Sequence, residues 1–219
     1  MHVAFIMDGN RRWAKQNMFE RIMGHRSGVE TIDRILAVAP KYNINTITIY
    51  ALSTENLTQR SSDEVGDIFK VMVEAARKYK RKLIGNNVRA KVMGNLKSLP
   101  SKFAEIVSGL EEDTKDCTGQ LLQICIGYGG KDEIVRAVQK IVEKGEAVTE
   151  DSISRNLDSS LEPDLIIRTG GDFRLSNFLL WQSSYTQLHF SKTLWPDFGE
   201  KDLKIALDEL KTARINKGK

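Results

Sequence analysis

The chain has 219 residues, 41% hydrophobic and 28% charged, which suits one globular domain with a sizeable core and excludes a disordered tail or a fibrous repeat. Thirty-three Lys and Arg against 29 Asp and Glu give a net charge of +4, short of the basic extreme expected of a nucleic-acid binder. The two cysteines lack the spacing of a metal knuckle or a disulfide framework, so a reducing compartment is expected, and no apolar run approaches membrane-spanning length.

In chain order, strands are predicted at His2–Met7, Asn45–Leu52, Asn87–Met93, Leu121–Ile126 and Asp164–Arg168, with a weaker one at Gln187–Phe190. Helical periodicity falls at Gly28–Tyr42, Ser62–Ile84, Ser98–Asp116, Gly130–Glu143 and Lys201–Arg214. This alternation predicts a single α/β domain over residues 1–219, a largely parallel sheet flanked by helices. Within the second helix Val65, Ile68, Phe69, Met72, Val73 and Ala76 fall on one face, which by pattern alone is a core stripe.

Open parallel sheets bind ligands at the carboxyl ends of their strands, so the residues just after each strand carry the chemistry. After the first comes Asp8-Gly9-Asn10-Arg11-Arg12-Trp13, a turn into a helix start with two arginine forks, suited to an anion and equally readable as a turn with a cap. Arg21 and the Gly24-His25-Arg26-Ser27-Gly28 segment add cations before the next helix. After the second strand, Ser53-Thr54-Glu55-Asn56 reads by itself as a capping turn. After the fifth, Arg168-Thr169-Gly170-Gly171-Asp172-Phe173-Arg174-Leu175-Ser176-Asn177 places two guanidinium groups, a double glycine and a hydroxyl where they can surround one diphosphate. The cations form two clusters, which implies two anionic groups. The sequence lacks the loops of P-loop and dinucleotide-binding proteins, a zinc-protease motif and a serine-hydrolase elbow.

These segments together resemble the cis-prenyltransferase family, most closely its bacterial undecaprenyl diphosphate synthase branch. The matching stretches are His2 through Ala14, Gly24 through Gly28, Tyr50 through Asn56, Tyr128-Gly129-Gly130 and Ile167 through Phe198, in order along almost the whole chain. The resemblance implies a six-stranded parallel sheet, an apolar tunnel, a homodimer and Mg²⁺. It also implies condensation of isopentenyl diphosphate onto an allylic primer such as farnesyl diphosphate. The cysteine usage places the chain in the cytoplasm, a long apolar product calls for transient contact at the inner membrane face, and arginines at strand ends instead of in one surface stripe argue against a nucleic-acid partner.

By motif match, Asp8 would hold Mg²⁺ and assist departure of the primer diphosphate, and Asn56 would act beside the reacting carbons. Gly9, Asn10, Arg11, Arg12, Trp13, Arg21, His25, Ser53, Thr54, Glu55 and Arg60 would bind the allylic substrate. Arg168, Arg174 and Ser176 would bind the isopentenyl diphosphate. The core stripe would then become a wall of the tunnel through Phe69, Met72 and Ala76. Gln187 stands where the family pattern has a metal-placing glutamate, and loss of that charge should weaken Mg²⁺ binding. The same substitution is the feature that favours a second reading, a non-catalytic or weakened subunit that binds lipid diphosphates.

Overall fold

The computed structural model describes residues 1–213. One six-stranded sheet, every neighbouring pair parallel, has the order β3-β4-β2-β1-β5-β6, with β1 at His2–Ile6, β2 at Thr46–Ser53, β3 at Arg89–Met93, β4 at Leu121–Tyr128, β5 at Leu165–Arg168 and β6 at Gln187–Phe190. Helices fill the connections: α1 Asn10–Gln16, α2 Arg21–Val38, α3 Thr54–Gln59, α4 Ser62–Gly85, α5 Ser101–Asp113, α6 Gly130–Glu143, α7 Glu150–Asn156 and α8 Glu200–Thr212. This is the expected α/β architecture. Arg214, the last residue of the final predicted helix, lies outside the described residues.

A central parallel strand has helices on both faces, so it is apolar on both. β1 is accordingly buried at all five positions. Val3 and Phe5 join Ile35 of α2 and Trp195, Phe198, Leu203 and Leu207 on one side. Ala4 and Ile6 join Ile166, Tyr128 and Phe178 on the other. β6, the edge strand beyond β5, is half-buried throughout. No helix among the described residues is long and apolar enough to cross a membrane.

Four departures from the predicted elements have local causes. α2 begins at Arg21 rather than Gly28, because Gly24 and Gly28 form a notch in a helix instead of a loop. A methyl group on Gly24 would lie 2.1 Å from the Asn10 carbonyl oxygen, and one on Gly28 2.5 Å from Asn10 Oδ1, so the glycines let α1 rest on α2. α5 starts only at Ser101, since Pro100 carries the extended backbone that precedes it. β4 runs two residues past Ile126 to Tyr128. α7 was missed because only seven residues follow its capping box, Thr149 with Ser152, too few to show a period.

β1 is the topological switch: the chain proceeds from it to β2 on one side and returns to β5 on the other. The crevice beyond its carboxyl end is where an open sheet binds ligands. In β2, the pairing with β4 slips between Tyr50 and Leu52, a bulge at Ala51 next to that crevice.

Candidate active site at the carboxyl end of the sheet

Asp8 sits two residues beyond β1, between two guanidinium groups. Arg168 Nη2 lies 2.9 Å from Oδ2 and Arg12 Nη2 3.2 Å from Oδ1. Burial pushes the Asp8 carboxyl up, but the Arg168 hydrogen bond and charge, aided by Arg12, outweigh it and hold the pKa below the ordinary value. The helix that supplies Arg12 begins on Gly9, whose φ of +111° belongs to glycine and whose place against Leu194 leaves no room for a side chain. Arg12 also donates to the Gly170 carbonyl at 2.6 Å, tying α1 to the loop after β5.

That loop is wound around Arg168. The Arg168 side chain is only 5% exposed. It donates through Nη1 to the Arg174 carbonyl and the Ser176 hydroxyl, both at 2.7 Å. Asp172 lies 3.5 Å from Arg168 and 2.7 Å from Arg174. Gly170, Gly171, Ser176, Asn177 and Leu179 all have positive φ. Each non-glycine residue in that region costs on the order of 1 kcal/mol or more, strain that functional loops store and packing repays. Asn177 is pinned from both ends, accepting from the Lys131 N–H at 2.9 Å and donating to Glu55 at 2.8 Å.

A second cationic cluster gathers at the start of α4. Glu64, 7% exposed at its side chain, faces Arg60 at 2.6 Å, Arg21 at 3.2 Å and Arg11 at 3.3 Å. Arg60 Nε donates to Asn56 Oδ1 at 3.0 Å, and Ser53 caps α3 by accepting from the Asn56 N–H at 3.0 Å. The capping reading of Ser53 is therefore present in the fold. Thr54 donates to Glu55 at 3.1 Å. His25, one turn along α2 from Arg21, has its pKa lowered to about 4, chiefly by burial and then by Arg60, so it is neutral at pH 7.

Five buried side-chain polar atoms lack a partner among the described residues, and three of them, Asn10 Oδ1, His25 Nε2 and Arg168 Nε, lie in this region. Buried polar atoms are normally paired, so these three are groups that a polar ligand could satisfy.

Beside the charged groups opens an apolar cavity of about 610 Å³. Met7, Asn10 and His25 line it at the site, Ala51 and Ile124 along the sheet, and Lys82, Asn86 and Gln120 toward the opposite end of the strands. The predicted stripe on α4 divides here. Ile68, Met72 and Ala76 line the cavity, whereas Phe69 turns onto Phe103 of α5, ring centroids 4.4 Å apart, and does not.

The structure thus brings Asp8, Arg12, Arg168, Arg174 and Ser176 into one cluster and Arg11, Arg21, Arg60, Asn56 and His25 into another. Trp13 joins neither, since its indole donates to Asp197 at 2.7 Å and its ring leans on Phe19. Arg26 is held by Glu74 of α4 at 3.1 Å. Gln187 opens β6 beside Leu165, in the row of Val3, whereas Arg168 lies in the row of Ile6. Three strand positions separate the rows, about 10 Å, so the chain does not bring its own Gln187 to Asp8. Glu64 was missed by sequence reasoning, because Ser61 with Glu64 three residues on reads as an ordinary helix cap, and Ser61 does accept from the Glu64 N–H. Thr169 was missed as well; its hydroxyl donates to the Asp8 carbonyl at 2.7 Å.

No group of three or more His, Cys, Asp or Glu side chains is placed to hold a metal among the described residues. The single Asp8 carboxylate nevertheless fits Mg²⁺ of the kind bound through one or two carboxylates and the phosphates of a substrate.

Comparison with known proteins agrees with the fold. The family described as "Putative undecaprenyl diphosphate synthase" matches residues 6–218. An isoprenyl transferase of Wolinella succinogenes is 42% identical over 212 residues, 96% of this chain and 92% of its own. Among solved structures, lavandulyl diphosphate synthase from Lavandula x intermedia, in complex with dimethylallyl diphosphate, superposes with a TM-score of 0.93 at 32% identity, covering 100% of this chain and 98% of that one. A "probable undecaprenyl diphosphate synthase" from Campylobacter jejuni gives 0.87 at 35%, with the same coverage.

A parallel α/β sheet with a guanidinium-rich crevice at its switch point defines a class of diphosphate-handling transferase. The chain belongs to the undecaprenyl diphosphate synthase family of cis-prenyltransferases. It is an enzyme of isoprenoid biosynthesis.

Proposed function

We propose that this enzyme condenses isopentenyl diphosphate units onto an allylic diphosphate, farnesyl diphosphate, forming cis double bonds and a long polyprenyl diphosphate of the undecaprenyl class. The observation that carries the reading is the meeting of two anion-binding clusters with the apolar cavity, whose lining residues Met7 and Asn10 stand close to Asp8 in the chain.

In each condensation a bond forms between C1 of the primer and C4 of the isopentenyl unit. The primer diphosphate leaves with the C1–O electron pair, and C2 of the isopentenyl unit loses a proton. Charge grows on the departing diphosphate, so fixed cations aimed at it lower the barrier. Arg11, Arg12, Arg21 and the backbone N–H groups after Gly9 take that role, with neutral His25 as a hydrogen-bonding partner. Arg168, Arg174 and Ser176 hold the isopentenyl diphosphate, and Asn56 and Ser53 stand near the reacting carbons. Two anchors at fixed separation hold the carbons in reacting geometry. Asp8 is the residue that would hold Mg²⁺, whose bound charge helps neutralise the leaving diphosphate.

Each added unit brings further apolar surface, at about 0.8 kcal/mol per buried CH₂, which favours the cavity over water. The growing hydrocarbon ultimately needs a bilayer, so transient peripheral contact at the cytoplasmic membrane face belongs to the proposal. A homodimer does too, and exposed Phe173, leaning on Phe190 of edge strand β6, supports it. The full set of cationic groups around Asp8 favours catalysis over the binding-only reading that Gln187 suggests.

The test is incubation of the purified protein with farnesyl diphosphate and labelled isopentenyl diphosphate across a Mg²⁺ titration, with products sized by mass spectrometry. Long polyprenyl diphosphates are expected. Absence of product at every Mg²⁺ concentration, with farnesyl diphosphate still bound, would replace the catalytic reading with the binding-only one.

A further inference from the structure

Repeated condensation imposes a requirement on the primer site. The newly lengthened chain carries the diphosphate of the isopentenyl unit, while inorganic pyrophosphate is left among the cations that drew it off. The next round needs those cations free. Arginines that grip pyrophosphate tightly, Arg11 and Arg21 among them, would stall the cycle.

Glu64 has the geometry to loosen that grip. It is a buried carboxylate inside the same cluster, and its partners are unequal. Arg60 approaches Oε1 at 2.6 Å and is largely buried at 23% exposure, whereas Arg11 and Arg21 lie at 3.3 and 3.2 Å and are about half exposed. Arg60 is further fixed by Asn56. Arg11 and Arg21 each spend a single Nη on Glu64, leaving their other N–H groups for a ligand. A buried carboxylate stripped of all its cations would be strongly destabilised, but Arg60 can remain as its partner while Arg11 and Arg21 turn to a diphosphate.

We infer that Glu64 is a resident counter-anion that competes with pyrophosphate for Arg11 and Arg21 and so promotes its release between condensations. The inference rests on the assignment of these arginines to the primer diphosphate. Glu64 acts through the arginines and is a positioning residue. Its negative charge lies one guanidinium away from the incoming anion, close enough for the repulsion to survive physiological salt.

The experiment is calorimetric titration of the protein with inorganic pyrophosphate, for wild type, Glu64→Gln and Glu64→Asp, together with pyrophosphate inhibition of steady-state turnover. Gln preserves shape and an acceptor oxygen but removes the charge. Asp keeps the charge and withdraws it by one methylene. Glu64→Gln is expected to bind pyrophosphate about tenfold tighter, with inhibition strengthened in parallel. Glu64→Asp is expected to shift the same way by less, and it decides the matter should the Gln variant fail to fold. Damage to the fold alone would weaken binding, so tightening separates the two. A folded variant that binds pyrophosphate no more tightly than wild type overturns the inference. Failure of wild type to bind pyrophosphate at all would remove the primer-site assignment itself, and the inference with it.

Discussion

At Arg168 one guanidinium reaches four oxygens, on Asp8, Asp172, Ser176 and the Arg174 backbone. Arg168→Lys keeps the charge but loses the fork, leaving several of these acceptors unmatched. We expect it to raise the KM for isopentenyl diphosphate at least tenfold, with the KM for farnesyl diphosphate less affected, as initial rates at varied substrate will show. Asp8→Ala leaves Arg12 and Arg168 without their shared carboxylate and removes the carboxylate proposed to hold Mg²⁺. A loss of about 10²- to 10³-fold in kcat is expected, the usual scale for removing one group that stabilises transition-state charge. Unchanged kcat with normal Mg²⁺ dependence would discard that role. Arg168, Arg174 and Ser176 were legible in the sequence because one run of nine consecutive residues holds all three. Glu64 was not, since its partners come from positions 11, 21 and 60, and only the fold makes them neighbours.

Helix packing sets where Arg11 and Arg12 stand. α1 rests in the notch of Gly24 and Gly28, and Trp195 donates to the Gly28 carbonyl at 2.8 Å. Gly24→Ala forces a methyl group onto the Asn10 carbonyl, an overpacking worth roughly 1–3 kcal/mol. A lowered melting temperature together with weaker pyrophosphate binding is expected, because α1 carries Arg11 and Arg12. Two histidines, one buried and one half-buried, are expected to make the fold acid-sensitive. His2 in β1 and His25 in α2 each have a pKa lowered from 6.5 to about 4, chiefly by burial. The unfolded chain therefore takes up these protons first, and stability falls as pH drops from about 6.5 toward 4. Each histidine contributes up to about 3 kcal/mol to that loss. Asp8, with its lowered pKa, adds a loss of the same sign on acidification. Urea midpoints at pH 7.5 and pH 4.5 measure the effect, and His2→Gln should narrow the gap between them. Equal midpoints in the wild type would contradict the burial argument.

For the whole molecule, the cavity between the sheet, α2, α4 and α5 is lined by residues from both ends of the strands. Filling it partway, with Ala51→Leu on β2 or Ala76→Phe on α4, is expected to shift products to shorter polyprenyl diphosphates while leaving the first condensation intact. Mass spectrometry of the product ladder reads this directly, and an unchanged ladder would mean that the chain grows elsewhere.

The sequence by itself determined the α/β class, the five strong strands and the gathering of arginines, glycines and hydroxyls just after them, because period, turn residues and clustered arginines are local properties of the chain. Only the tertiary structure decided the rest. It turned Gly24 and Gly28 from loop markers into a helix notch, sent Phe69 to α5 and Ile68 to the cavity, set Gln187 away from Asp8, and seated Glu64 among three arginines. Each of these depends on what an element packs against, and crossovers in a parallel sheet bring distant positions together in a way that no local pattern encodes.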